Sequence, residues 1–408
     1  MPICIMNGSV GGTRIDQHQP NPADHAVAGS LYAIYANLHN RIVAAKLTHG
    51  IRGVLWHQGE QDQGSGAPTG DYDYKTYHQY FVDMSAAWKQ DYPNILYYYI
   101  FQIWPKACGD TSRNDLLREV QRTLPYLFSN MRIMTTVGII PGSSCHYVPA
   151  GYTKFSDLIS PFVKQDNYGF TPAGIITAPD VKRVYFTTAA RNEIALEFGQ
   201  PMLWNSPTKA LFYLDGVGNQ VASGSVTGNI IKLQLSAAST ATKITYLAGD
   251  FWDGNQANLL YGTNNTAALT FAEVPIEPPT AYSIWSSAQG LTAGVNDAPL
   301  SDPDRDGIVN LLEFALTGAP TISAQTILPT LTTSGGNWIF EYNRSDASQP
   351  ATTQTVEYGS DLIGWTQVPI PATSAGSVTI TPGTPSDHVA VTIPIAGTKI
   401  FARLKVVQ

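Results

Sequence analysis

The feature that most constrains this chain is a change of hydrophobic period near residue 170. Up to about residue 172, short apolar runs alternate with helical segments; past Asp166-Asn-Tyr-Gly the helical period stops and only strand-length runs remain. Predicted strands lie near 2–6, 52–57, 95–103 and 132–139, and predicted helices near 26–48, 73–91, 112–126 and 151–164. Such alternation with short loops predicts an α/β domain: a mainly parallel sheet covered by helices on both faces, with binding residues at the carboxyl ends of its strands. Beyond the switch, segments such as Arg191 to Phe198 and Lys243 to Leu247 alternate with Gly, Asn and Asp turns, the pattern of a β-sandwich. A joint, Pro275-Ile-Glu-Pro-Pro-Thr, then leads to a short acidic and helical module and a last β-rich stretch. The expected division is therefore an α/β domain at 1–172, a β-sandwich at 178–276, a linker module at 281–318 and a C-terminal β-domain at 325–408.

Charge narrows the partners. Only 13% of residues are charged, the net charge is -7, and the 24 Lys and Arg form no cluster able to neutralise phosphates, which argues against nucleic acid and against anionic membranes. The longest apolar run, Ile95 to Trp104, is about half a bilayer span and contains Gln102, so it reads as a buried strand. The opening MPICIMNGSVGG lacks the basic start and long apolar stretch of a signal peptide. Low charge with plentiful Gly, Pro, Ser, Thr and Asn nevertheless fits an extracellular β-rich protein, so a secreted or cell-surface location is expected. Cys108 and Cys145 both fall in loops following strands and are the candidate disulfide; three reduced thiols are the alternative.

Three strand-end segments carry candidate chemistry. The first, Asn7-Gly-Ser-Val-Gly-Gly-Thr-Arg-Ile-Asp, holds a glycine pair that turns backbone N–H groups into a cleft, where one of them stabilises the oxyanion of an acyl-transfer intermediate. The second, Gly53-Val-Leu-Trp-His-Gln-Gly-Glu-Gln-Asp, is a buried strand ending in polar residues, of which Gln58 offers another oxyanion donor. The third, Gly142-Ser-Ser-Cys-His-Tyr-Val-Pro-Ala-Gly-Tyr, places His146 on a loop beside the sheet's carboxyl edge as general base. Singly, each has a plain use: Glu60 as a helix cap, His57 as a buried histidine bonded to backbone, Gly11-Gly12 as a turn. Their order and shared strand-end placement favour the catalytic reading. No histidines show paired metal-ligand spacing, so no catalytic metal or other catalytic cofactor is expected.

Together these segments resemble the SGNH hydrolase superfamily in its sialate O-acetylesterase-like branch, whose marks include Gly-Gly-Thr, Trp-x-Gln-Gly-Glu and a histidine before the final helix. The resemblance covers roughly residues 1–170. It implies a flavodoxin-like three-layer fold and carbohydrate O-deacetylation, with an acetylated carbohydrate as partner. It also implies Gly12 and Gln58 as oxyanion-hole positions, Gly11 as the neighbouring turn residue and His146 as the base. The family's nucleophile lies in a Gly-Gln-Ser-Asn-like block upstream of where this chain starts, so impaired hydrolysis is the expectation. Ser143 stands where the superfamily places the acid that orients the histidine, which leaves Glu60 as substitute or a Ser-His dyad. Ser9 imitates a nucleophile elbow but lacks that motif's first glycine. The alternative is a non-catalytic carbohydrate-binding or cell-surface scaffold protein.

A separate motif lies at Asp302-Pro-Asp-Arg-Asp-Gly-Ile-Val-Asn-Leu-Leu-Glu, which matches a twelve-residue calcium loop. Asp302, Asp304 and Asp306 supply carboxylates, Ile308 its carbonyl, Asn310 the ninth position and Glu313 a bidentate close, with Gly307 permitting the turn. A structural calcium is expected there; an acidic turn capping the helix from Asn310 is the alternative. The loop resembles single calcium modules that join β-domains in large bacterial secreted proteins, where they rigidify. Trp204, Trp252, Trp338 and Trp365 of the β-regions are either core or sugar-stacking residues.

Overall fold

The computed structural model describes residues 3–29, 31–62, 74–105, 107–109, 114–139, 146–248, 252–292, 295–397 and 399–408. The chain forms two compact units, Met1–Val184 with Leu196–Ile276, and Tyr185–Ala195 with Glu277–Gln408. The expected 1–172 and 178–276 domains thus fall largely in the first unit, and 281–318 and 325–408 in the second.

The first unit opens with α1 (Ala33–Ala44), β1 (Gly53–Trp56), α2 (Tyr74–Asp91), β2 (Tyr97–Gln102), α3 (Asn114–Thr123), β3 (Met131–Thr135) and α4 (Pro149–Tyr168). The three strands form a parallel sheet in the order β1-β2-β3, with Val54 beside Tyr98 and Tyr98 beside Met131. Alternation along β2 decides the layering, because successive side chains of a strand face opposite sides. Tyr98 and Ile100 join a core with Tyr35 and Ile42 of α1, Phe81, Met84 and Trp88 of α2 and Leu117 of α3. Tyr99 and Phe101 face the other way, against Met134 of β3 and Phe155 and Phe162 of α4. This is the expected α/β arrangement of helices on both faces of a parallel sheet.

Two expected elements differ. Residues 3–6 of the strand expected near 2–6 form none: they enter no ladder among the described residues, and Ile3 and Ile5 are 72% and 79% exposed. A strand exists only through its ladder, and apolar alternation alone does not supply one. The helix expected near 26–48 begins only at Ala33. Asn21 Oδ1 accepts from the Ala23 N–H (3.0 Å) and Asp24 Oδ1 from the Ala26 N–H (2.9 Å), local bonds that compete with a helix start.

The following β-rich stretch, most of it in this unit, comprises β4 (Val181–Phe186), β5 (Glu193–Phe198), β6 (Met202–Leu203), β7 (Phe212–Leu214), β8 (Val221–Thr227), β9 (Ile230–Leu235), β10 (Lys243–Tyr246), β11 (Tyr261–Gly262) and β12 (Phe271–Pro275). Its sheets run β4-β5-β9-β8, β12-β10-β7 and β11-β6. It is joined to the α/β part by buried polar bonds. Gln102, fully buried at the end of β2, donates to the carbonyls of Thr270 (2.8 Å) and Arg118 (2.9 Å), while its Oε1 accepts from the Thr270 N–H (2.9 Å). Arg118 donates to the Leu247 carbonyl at 2.7 Å, and Arg122 reaches Asp180 at 2.8 Å. Trp252, 1% exposed, packs its ring against Trp104 at 5.3 Å, which makes it core.

The second unit holds α5 (Ala281–Ala288), α6 (Asn310–Leu316), β13 (Thr330–Ser334), β14 (Asn337–Ser345), β15 (Thr353–Gly359), β16 (Thr366–Pro369), β17 (Val378–Thr381), β18 (Ser386–Pro394) and β19 (Phe401–Val407). Two antiparallel sheets, β13-β14-β18-β17 and β16-β15-β19, enclose Phe340, Tyr342, Val356, Val389, Val391 and Ile393. Leu316 of α6 enters this core, while Phe314 packs with Tyr282 and Trp285 of α5. The acidic module is therefore part of the C-terminal β-unit's packing.

Candidate active site

The site begins where β1 ends. Trp56 Nε1 donates to the Tyr77 hydroxyl (3.0 Å), which donates to the Gln58 carbonyl (3.0 Å). That carbonyl also accepts from Gln121 Nε2 (2.9 Å), whose Oε1 accepts from the Ile103 N–H just past β2 (2.9 Å). Gln121 thus ties together the carboxyl ends of two strands. Gly59 is required here: its φ is +142°, and a Cβ would lie 2.7 Å from Gln121 Nε2.

The glycine turn is brought to the same edge. Gly12 has a left-handed φ of +71° with open space around it, and Gly11 is equally uncrowded. The next residue anchors the turn, since the Thr13 carbonyl accepts from Gln58 Nε2 at 2.9 Å. The Thr13 hydroxyl donates to the Val10 carbonyl (2.7 Å) and so must accept from His18 Nε2 (2.8 Å), which fixes the proton of that neutral ring on Nε2. Burial holds His18 down at about 4, with Asp16 opposing.

Asp62 completes this knot and lies beyond the residues singled out from the sequence. It is fully buried and accepts from Gln58 Nε2 (2.5 Å) and, with both oxygens, from the Ile15 N–H (3.2 Å). Burial pushes its carboxyl up to about 7 against the lowering effect of those bonds. Its only sequence signal was its place four residues after Gln58 in the polar run following a buried strand. The two acceptors facing Gln58 also fix its amide orientation, so both amide hydrogens are engaged and the Oε1 is buried without a partner. The oxyanion-donor role expected of Gln58 therefore requires release of one of these bonds.

The histidine loop approaches from the third strand. His146 is exposed, and its neighbour Tyr147 is buried against the rings of Phe155 (4.8 Å) and His57 (6.3 Å), the residue directly after β1. Glu60, expected as a substitute orienting acid, lies 3.5 Å from His57 Nε2, and burial of His57 lowers its pKa while Glu60 raises it. Ser9 is exposed and donates its hydroxyl hydrogen to Asn7 Oδ1 at 2.7 Å. Ser143 and Cys145 lie outside the described residues. Cys108 is disulfide-bonded, and Cys4 is free and exposed. Among the described residues no helix is long and apolar enough to cross a membrane.

A parallel sheet between helical layers, with a glycine turn, a Trp-His-Gln-Gly-Glu strand end and a histidine loop carried on it, has the plan of an α/β esterase domain. Residues 1–156 match the family model described as carbohydrate esterase, sialic acid-specific acetylesterase. The matched segment contains all three motif segments. No curated protein matches the chain.

Proposed function

We propose that the first domain serves the hydrolysis of acetyl esters on a carbohydrate by serine-type acyl transfer, with His146 as general base and the Gly12 N–H as an oxyanion donor. The observation that carries this reading is the junction of the glycine turn with the Gln58 strand end, the 2.9 Å bond from Gln58 Nε2 to the Thr13 carbonyl. It joins the two segments that an oxyanion hole needs at the carboxyl edge of the sheet. Gly11 shapes the turn, Gln58 becomes a second donor on leaving Thr13 or Asp62, and Glu60 is the acid proposed to orient the base. Ser9 is not proposed as the attacking hydroxyl, because it donates to Asn7 Oδ1. The disulfide at Cys108 supports a secreted or cell-surface setting.

Acetate release from an O-acetylated glycan and from p-nitrophenyl acetate tests the assignment. His146→Ala is expected to lower turnover by about 10²–10⁴-fold, the usual worth of a positioned base. Activity that survives this change overturns the role of His146. One observation favours a second reading, carbohydrate binding without catalysis: both amide hydrogens of Gln58 are spent inside the protein. Glycan binding with no acetate release, even with the serine block supplied, would establish it.

A further inference from the structure

The loop ahead of α6 carries more unpaired acid than a helix cap explains. Ligand oxygens of Asp302, Asp304 and Asp306 lie within 4.8 Å of one another. Each acid uses one oxygen on the loop's own backbone: Asp302 Oδ2 accepts from the Gly307 N–H (3.0 Å), Asp304 Oδ1 from the Asp306 N–H (3.2 Å) and Asp306 Oδ1 from the Ile308 N–H (2.8 Å). The other oxygens of Asp302 and Asp304, Oδ1 and Oδ2 respectively, are buried and have no hydrogen-bond partner among the described residues.

The decisive observation comes from the helix. Glu313 is 1% exposed, and among the described residues neither of its carboxylate oxygens has a hydrogen-bond partner. A carboxylate withdrawn from water without donors is costly, and so it is found paired, protonated or bound to a metal. The nearby charges that act on it are those of Asp304, Asp306 and Asp302, all of the same sign. A capping acid would instead face backbone N–H groups or solvent.

We propose that Asp302, Asp304, Asp306, the Ile308 carbonyl and Glu313 bind one calcium ion, and that this ion fastens the loop to the C-terminal β-unit. One oxygen from each of the first four and both from Glu313 reach the range of about six to eight that Ca²⁺ takes. Gly307, at φ +91°, makes the sharp turn within the loop. Asn310 acts as the loop's internal tie: its amide donates to the carbonyls of Asn296 (2.8 Å) and Ala298 (3.0 Å), and its unpartnered Oδ1 is left for a water of the ion. Asp306 carries the attachment outward, since its Oδ2 accepts from the Ala324 N–H (2.9 Å) and its carbonyl from Gln325 Nε2 (2.9 Å). Phe314, the residue after Glu313, packs at 5.4 Å from Trp285, the indole that would sensitise a lanthanide bound here.

Calorimetric titration of the full chain, stripped with EDTA, with CaCl₂ is expected to give one ion per chain. Terbium in place of calcium is expected to show luminescence excited through tryptophan. Glu313→Gln, which keeps shape and removes charge, is expected to weaken binding at least tenfold. The melting temperatures then cross over: in EDTA the variant melts at or above the parent, because an unpaired buried charge is gone, and in excess calcium the parent melts higher. Asp304→Asn is expected to lose the calcium-dependent rise as well. Absence of calcium heat and of sensitised terbium emission in the parent overturns the site. So does calcium binding, or a calcium-dependent rise in melting temperature, that is unchanged in Glu313→Gln.

Discussion

Replacing Asp62 by Asn tests the reading of the strand-end knot most sharply. The folded carboxyl is held at about 7 against an ordinary 3.8, chiefly by burial, with Asp16 raising it further and Arg14 lowering it. Between about pH 4 and 7 the folded protein keeps this proton while the unfolded chain has lost it. The group's contribution is therefore neutral in acid, turns unfavourable as pH rises through that window and levels off above it. Three units at about 1.36 kcal/mol each give roughly 4 kcal/mol over the full window, of which about 2–3 kcal/mol falls between pH 5 and 8. His18 and His57 are held low by burial and oppose this trend below neutrality, so the parent's slope alone is ambiguous. The difference between parent and variant isolates Asp62. Asn also loses an acceptor toward Gln58 or Ile15, a nearly pH-independent cost of about 1–3 kcal/mol. Urea unfolding followed by tryptophan fluorescence at several pH values reads both terms. Parallel pH profiles for Asp62→Asn and the parent would refute the reasoning, because they mean that Asp62 is already ionised in the folded state.

Two further perturbations probe the framework. Gln102→Ala is expected to cost about 3–5 kcal/mol by urea denaturation, because the Thr270 N–H and carbonyl are left unpaired and buried; a loss below about 1 kcal/mol would show that the two halves of the first unit do not depend on it. Gly59→Ala is expected to destabilise by about 2–4 kcal/mol and to impair any acetyl-ester turnover, since both its φ of +142° and Gln121 Nε2 oppose a Cβ.

Local pattern carried much of the α/β half. The runs ending at Trp56, Gln102 and Thr135 are strands because they are apolar, short and bounded by turns, and α2 and α4 sit where the helical period placed them. Residues 3–6 have the same apolar look, yet strand formation depends on a partner that composition does not announce. The turn and the Gln58 strand end were legible as separate motifs, and the fold brings them into contact. Asp62 was not legible, because its role arises from burial: an ordinary acid in sequence becomes a high-pKa acceptor only when Ile15 and Gln58 close over it. The merging of the α/β and sandwich halves was hidden for a similar reason. It rests on Gln102, Arg118 and Arg122, polar residues in a strand end and a helix whose partners lie far along the chain.

That merging bears on how such a protein can be cut and recombined. At Gln102 a side-chain amide copies the donor and acceptor of a peptide group and pairs with Thr270 as a neighbouring strand would. A break between residues 172 and 178 therefore does not release a self-contained catalytic cassette. It strips Gln102, Arg118 and Trp104 of their buried partners at once. Recombination that exchanges this α/β half must carry the following sandwich with it, and the inheritable module is the pair.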